Sequence, residues 1–385
     1  MRRIITGLIS CIFVASFVFS CKEKEIQKDV AIPLLRLDIP VKELPETKLS
    51  DVIAEYKPVK LEFTPQSMIG SVRKVIVHDG LMYILDMFGA KAVVVFDLSG
   101  KFVRSIGSVG NGPGQYLMPQ DFVLDTVKNE IEILGNRKVN RFSFSGEFLN
   151  CLKLNYTAIN FQKREDGYVF AITGKEDYKV AITDLQGNIK KQFVPTNKDY
   201  VSGVAFNCLL PLESNQLMFR PLRRDILYAL GDTAAYPARI IDFGKYKFKL
   251  DEYLKLSPRD RMTYVIQSKE KEQCIIKTYF ENSKYINLGY SMKGIYYDYI
   301  LNKSTGQFVH YGGETLIDDV LWQNASRRIV GVDREYFYQL VELYQYKSTK
   351  QLRKFLETYT DDEDYIQEIL HETSNPMILI VKYKV

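Results

Sequence analysis

At 385 residues, with 46% apolar and 26% charged residues, the chain has room for one large β domain or two ordinary ones, and it is too apolar to be disordered. A net charge of +5, with Lys and Arg spread along the chain, excludes the basic footprint of a nucleic-acid binder. The five cysteines, at 11, 21, 151, 208 and 274, lack metal-ligand spacing and argue against a disulfide framework.

The chain opens with Met1-Arg2-Arg3, then an apolar stretch from Ile4 to Phe19, then Ser20-Cys21. A basic start, a short apolar run and a small residue before the cleavage point read as a secretory signal over 1–20. Cysteine directly after that small residue resembles a bacterial lipobox. The resemblance implies diacylation of the Cys21 sulfur and an N-acylated new terminus, which together would anchor the protein firmly. Residues 21–56 are charged, contain Pro33, Pro40 and Pro45, and read as a tether between membrane and domain.

From residue 57 the pattern becomes β. Lys57 to Phe63 is an isolated strand. Val93 to Phe96 is an apolar strand, Asp97-Leu98-Ser99-Gly100 a turn, and Lys101 to Ile106 a second strand. A Gly/Pro loop, Gly107 to Gly114, leads to a further strand near Phe122. The strand, polar turn with glycine, strand unit recurs at Gly146, Gly187, Gly231 and Gly306. The gap from 231 to 306 is long, which implies a missed repeat or an insertion.

Helical signals interrupt the pattern. Ser257-Pro258-Arg259-Asp260 offers an N-cap, a first-turn proline and an acidic third residue, and predicts a helix to about Lys271. Ser348 would cap a second, with Leu352, Phe355 and Leu356 on one face. Thr360-Asp361-Asp362-Glu363 reads as a capping box for a third, through Ile366, Ile369 and Leu370. These read as insertions in loops. Without them, residues 57–385 divide into blades of about 46 residues each, giving six. Pro376 to Val385 is a strand with no turn after it. With Lys57–Phe63 it would complete one blade from the two ends of the chain and close the ring.

Specific residues carry a resemblance. They are Leu61-Glu62-Phe63, Ile69-Gly70, Val75-Ile76-Val77, Tyr83-Ile84-Leu85-Asp86, Val95-Phe96-Asp97 with Gly100-Lys101-Phe102, Ile106-Gly107, Gly110-Asn111-Gly112-Pro113-Gly114-Gln115-Tyr116, Pro119 and Asp121-Phe122. In combination they resemble the six-bladed β-propeller lipoproteins of Bacteroidetes-type bacteria, relatives of NHL-repeat propellers. The match is dense over about residues 58–150 and rests on the repeat pattern beyond. It implies an all-β six-bladed propeller with small helical insertions and a place in the cell envelope, in or at the outer membrane. It transfers no active site.

Candidate chemistry is sparse. Gly110 to Gly114 could cradle an anion through backbone N–H groups. Pro119 follows and no helix opens, so a turn between blades is the first reading. His78, His310 and His371 are far apart, and Asp361 to Asp364 lack the alternation of a calcium loop, so no metal or other cofactor is expected. Arg220, Arg223 and Arg224, beside Pro221 at a blade end, could hold a carboxylate or an acidic sugar. Tyr290, Tyr296, Tyr297 and Tyr299 could line a sugar or peptide face, although packing between blades accounts for tyrosines of this kind. The first functional expectation is a non-enzymatic binding module for a peptide, glycan or envelope protein. The alternatives are an accessory of an outer-membrane uptake complex, and a metal-assisted lyase or hydrolase at the central channel.

Overall fold

The strand Leu81–Asp86 shows how the molecule is held together. Met82 and Ile84 pack to one side of it, and Tyr83 and Leu85 to the other. Successive side chains of a strand point to opposite faces, so a sheet covered on both faces needs apolar residues at every position. Its neighbour, Ala92–Asp97, does the same: Val94 and Phe96 face one way, Val93 and Val95 the other. That is why Val93 to Phe96 is a continuous apolar run and not an alternating one.

The computed structural model describes residues 32–385 apart from 43, 136, 174–177, 196–203, 213–215, 268–269, 321–327, 343–348 and 371–374. Cys21 and the leader lie outside the described residues, as do Ser348 and His371. Six antiparallel sheets follow one another. Blade I is Val72–His78, Leu81–Asp86, Ala92–Asp97 and Phe102–Ile106. Blade II runs from Pro119 to Lys153, blade III from Thr157 to Pro195, blade IV from Val204 to Asp242 and blade V from Ile275 to Gly312. Blade VI is Arg328–Val332, Phe337–Val341, Met377–Tyr383 and, as its outer strand, Ile53–Lys60. The chain ends therefore meet in one sheet, antiparallel, with Met377 opposite Lys60 and Tyr383 opposite Ile53. Each pair of adjacent blades encloses its own apolar cluster, including the pair VI and I that closes the circle.

The recurring glycines now have one position. Gly100, Gly146, Gly187, Gly231 and Gly306 all lie in the turn between the third and fourth strands of blades I to V. Blade VI has no such turn because its third and fourth strands are the two ends of the chain. The long gap from 231 to 306 holds no missed repeat. It contains the helical insertion between blades IV and V, Leu250–Leu254 and Pro258–Gln267. In blade I the Asp97 carboxylate accepts from the Ser99 and Lys101 N–H groups, and in blade III Asp184 accepts from Gln186 and Asn188 in the same way. Gly100 has φ 90°, and a Cβ there would lie 1.8 Å from the Lys60 carbonyl oxygen on blade VI. Gly306 has φ 71° with open space around it. Gly100→Ala is therefore expected to cost about 1–3 kcal/mol and Gly306→Ala about 1 kcal/mol. Urea midpoints of the two variants check this, and equal midpoints would contradict it.

The helix after Ser257 forms as expected, with the Ser257 hydroxyl accepting from the Asp260 N–H at 3.2 Å. The last helix begins at Glu363, two residues later than a Thr360 cap would start it. Thr360 Oγ1 accepts from the Asp362 N–H at 3.1 Å, and Arg353 of the preceding helix, Thr349–Glu357, reaches Glu363 at 2.7 Å. This insertion sits inside blade VI and buries Leu352, Phe355, Leu356, Ile366 and Ile369 against blades V and VI.

One expectation is corrected. From residue 32 onward, the segment expected to be a tether is folded against the blades. Leu35–Asp38 pairs in parallel with the outer strand of blade IV, as a fifth strand, and Thr47–Lys48 pairs with Leu316–Ile317 after blade V. Leu37, Ile39 and Val41 are buried in the cluster between blades IV and V. Alternation in Leu35-Arg36-Leu37-Asp38-Ile39 favours a half-buried strand, and Arg36 adds an ion pair with Asp242. The prolines drew attention away from that short pattern. Tandem prolines stiffen a linker, but single ones are tolerated beside edge strands. No helix among the described residues is long and apolar enough to cross a membrane.

Candidate functional site: the axial channel

Each inner strand starts where the outer strand of the preceding blade ends. All six inner strands therefore begin at one face of the ring, called the upper face here. The turns between second and third strands return to that same face. Both helical insertions and the loop Gly107 to Gly114 are upper-face features by this rule.

Neighbouring blades are tied to one another by a belt of hydrogen bonds around the ring, through their inner strands from blade VI round to blade IV and through other strands on either side of blade V. Arg328 of blade VI donates to the Val72 carbonyl of blade I at 2.6 Å. Lys74 of blade I donates to Asp121 at 2.9 Å and to the Phe122 carbonyl at 2.8 Å on blade II. Asp121 also accepts from the Asn160 amide and, at 2.9 Å, from the Phe161 N–H of blade III. The Asn160 carbonyl oxygen accepts from the Leu209 N–H of blade IV at 2.7 Å. Arg239 of blade IV forks onto Glu281 of blade V at 2.8 and 3.1 Å, and Tyr383 joins blade VI to Tyr285 and Asn287 of blade V. Buried polar groups need partners, and in each of these pairs a partner lies on the neighbouring blade.

Two cavities lie along the axis and share Asn207 and Phe280. The lower one, about 520 Å³, has Lys74, His78, Asn160, Glu281, Asp333 and Arg334 in its lining. Its carboxylates are engaged. Glu281 is held by Arg239, by the Tyr279 hydroxyl at 2.6 Å and by Lys303 at 2.9 Å, and Asp333 accepts from the Glu335 and Tyr336 N–H groups and the Tyr338 hydroxyl. The upper cavity, about 400 Å³, is lined by Arg73 of blade I, Arg220 and Arg223 of blade IV, Lys277 of blade V and Arg328 of blade VI, with Leu222, Val265 and Ile329 among its apolar walls. It continues into a side chamber of about 420 Å³ bounded by Gln273, Thr278, Ser291, Lys293 and Tyr296, with Lys277 and Arg328 common to both.

Of the three arginines read from sequence, Arg220 and Arg223 reach this upper cavity and Arg224 does not line it. Arg73, Lys277 and Arg328 were missed. They lie within the first three residues of inner strands, so aligning the blades on their inner strands would have placed them in one ring. Asp225, on the loop of Arg223 and Arg224, does not line the cavity, and burial pushes its carboxyl up to about 6. Among the four tyrosines, Tyr296 alone borders the chamber, its hydroxyl 2.9 Å from that of Thr278. Tyr290 stacks on Tyr297 at 5.2 Å and Tyr299 on Phe308 at 5.0 Å, which is packing within blade V.

The other candidates have structural roles. The Gly112 N–H donates to the Gln115 side chain at 3.0 Å, Gly110 to the Tyr116 carbonyl at 3.2 Å, and the buried Tyr116 hydroxyl to the Ile106 carbonyl at 2.8 Å. Those N–H groups turn the chain between blades I and II. His310 is buried on blade V, 2.9 Å from the Tyr290 hydroxyl, and burial lowers its pKa to about 4. His78, at the lower end of the inner strand of blade I, lines the lower cavity and packs edge-on against Phe144 at 5.7 Å. Asp125, Glu130 and Glu132 cluster within ligand distance of one another, but Lys163 of blade III enters that cluster, 2.7 Å from Asp125 and in contact with Glu132. Asp125 and Glu132 thus bind an ammonium group that ties blades II and III. Cys151, Cys208 and Cys274 are free thiols, and burial pushes the Cys274 thiol up to about 12, which leaves it unreactive.

Six four-stranded blades around an axial channel, closed by strands from both ends of the chain, define a six-bladed β-propeller. Within that class, residues 34–382 match the family described as "Domain of unknown function (DUF4934)", and the chain belongs to this family. A Bacteroides fragilis protein described as exported has the same fold, with a TM-score of 0.71 at 18% identity, covering 91% of this chain and 100% of its own. Virginiamycin B lyase of Staphylococcus aureus, in a catalytically inactive form with quinupristin, aligns with a TM-score of 0.43 at 14% identity over 74% of this chain and 82% of its own. That second likeness is too distant to inform the site.

Proposed function

We propose that this chain is a lipid-anchored envelope protein that acts as a non-enzymatic binding module, receiving a peptide, glycan or protein partner at the upper end of the axial channel. The observation that carries this is the form of the channel. Two cavities of ligand size lie on the axis, and the acids of the lower one are already engaged, Glu281 by Arg239 of blade IV and by Lys303, and Asp333 by its own turn in blade VI. A site that rearranged bonds would need an acid, base or nucleophile available to a substrate, and in the lower cavity His78 is the residue on which such a reading would rest. The leader, the Cys21 motif and the likeness to an exported protein support the envelope address.

A thermal-shift screen of the full chain against glycans, peptides and divalent metals, with a chelator control, tests the reading. Stabilisation that saturates, with the ligand recovered unchanged, is the expected result. A ligand consumed in excess over the protein would replace binding by catalysis. A flat screen followed by co-purification with an outer-membrane protein would favour the uptake-accessory role.

A further inference from the structure

The lower end of the axial channel is walled chiefly by apolar side chains. Ile76 of blade I, Leu124 of blade II, Phe280 of blade V and Val332 of blade VI lie on inner strands, and Leu212 directly follows that of blade IV. All five border the space of about 520 Å³. Each is half-buried, packed on an apolar cluster between blades, and so presents its remaining surface to the axis. Apolar surface gathered around a space of this size gains when a ligand covers it. One polar group in the same lining has no use within the protein. Asn282, just after the inner strand of blade V, is 7% exposed. Its Oδ1 accepts from the Lys284 and Tyr285 N–H groups at 3.0 and 2.8 Å, which settles how the amide is turned. Its Nδ2 then has no hydrogen-bond partner among the described residues. The other two asparagines of the lining are used: Asn160 Nδ2 donates to Asp121, and Asn207 Nδ2 to the Arg73 carbonyl at 3.4 Å. A buried donor left unpaired costs free energy, and an acceptor oxygen in the cavity would recover it.

We propose that the lower end of the channel is a separate binding site, for a compact apolar ligand whose polar end is one carbonyl or carboxylate group held by the Asn282 amide. The apolar ring supplies the affinity and the amide fixes the orientation, the usual division of labour in a small-molecule pocket. A carboxylate at that end would also meet Arg334, exposed in the lining on the lower turn of blade VI. The site does not rest on what the upper end of the channel receives.

The test is fluorescence titration of the full chain with three probes of one shape: 2-acetylnaphthalene, 2-naphthoate and 2-ethylnaphthalene, which lacks the oxygen. At least one of the first two binds saturably, and 2-ethylnaphthalene binds at least about tenfold more weakly than it. Repeating the titrations at about 50 mM and about 300 mM NaCl separates the two polar ends, because binding that weakens with salt marks the carboxylate. Asn282→Asp keeps the Oδ1 acceptor for the Lys284 and Tyr285 N–H groups and removes the donor. In that variant the affinity for the oxygen-bearing probe falls at least about tenfold, while that for 2-ethylnaphthalene is unchanged. Val332→Phe narrows the apolar ring and weakens all three probes. If Asn282→Asp does not fold, the comparison of probes on the native chain and Val332→Phe still decide. The proposal is overturned if neither oxygen-bearing probe binds saturably, if 2-ethylnaphthalene binds as tightly as they do, or if binding is undiminished in a folded Asn282→Asp or in Val332→Phe. Any of these results leaves the reading of the upper end standing.

Discussion

Removing Met377 to Val385 is expected to abolish the cooperative fold. These residues supply the third strand of blade VI, between Phe337–Val341 and Ile53–Lys60. Without them the outer strand has no partner and the clusters between blades V and VI and between VI and I both open. Met377, Ile378, Leu379 and Val381 are each 0% exposed. Truncating one such side chain costs about 2–5 kcal/mol, so losing four exceeds the roughly 5–15 kcal/mol by which a domain is stable. The opened ring would also present unpaired strand edges, so aggregation should accompany the loss. Removal of residues up to Val41 is the graded comparison. It strips the fifth strand of blade IV and the burial of Leu37, Ile39 and Val41, yet leaves six four-stranded blades. A lower but still cooperative melt is expected there. A truncation at Met377 that melted cooperatively within a few degrees of the intact chain would show that ring closure is not what holds the fold.

Glu281→Ala should have the largest effect of any single substitution in the polar belt. The Glu281 carboxylate is 1% exposed and Arg239 5%. Removing the carboxylate leaves the Arg239 guanidinium buried, and takes partners from Lys303 and the Tyr279 hydroxyl as well. Breaking a buried pair on one side costs about 3–5 kcal/mol. Glu281→Gln keeps the shape and loses the charge, so it should cost less. The two differ in pH dependence too. Burial alone would raise the Glu281 pKa, but the Arg239 guanidinium outweighs it and the pKa lies below its ordinary value of 4.5. A carboxylate with a depressed folded pKa adds stability that is complete above the unfolded pKa and is lost as pH falls through the folded one. The difference in urea midpoint between the native chain and Glu281→Gln should be constant from neutral pH down to about 5, then shrink below 4.5. A difference of the same size at about pH 3 would sink this account.

Several features were legible in the sequence because they depend on neighbours along the chain. The Asp97 to Gly100 turn needs a short acceptor and a residue tolerant of positive φ, and both are local. Five such turns and one strand at each end already define six blades. The cap at Ser257 is local in the same sense. Arg220 and Arg223 were found because they lie close together in sequence. Arg73, Lys277 and Arg328 are far apart in sequence and become one site only when blades I, V and VI meet at the axis. The tether was misread from residue 32 because the partner of Leu35–Asp38 lies some 200 residues away, on blade IV.

By itself, then, the sequence determined the repeating strand unit, the helical insertions and the closure from both ends, since turn chemistry and apolar runs act over a few residues. Only the tertiary structure decided which cations share a cavity, which acids are spent on the belt, and where the N-terminal segment lies. Those depend on the stacking of blades around an axis, which brings together side chains whose separation along the chain carries no information about their separation in space.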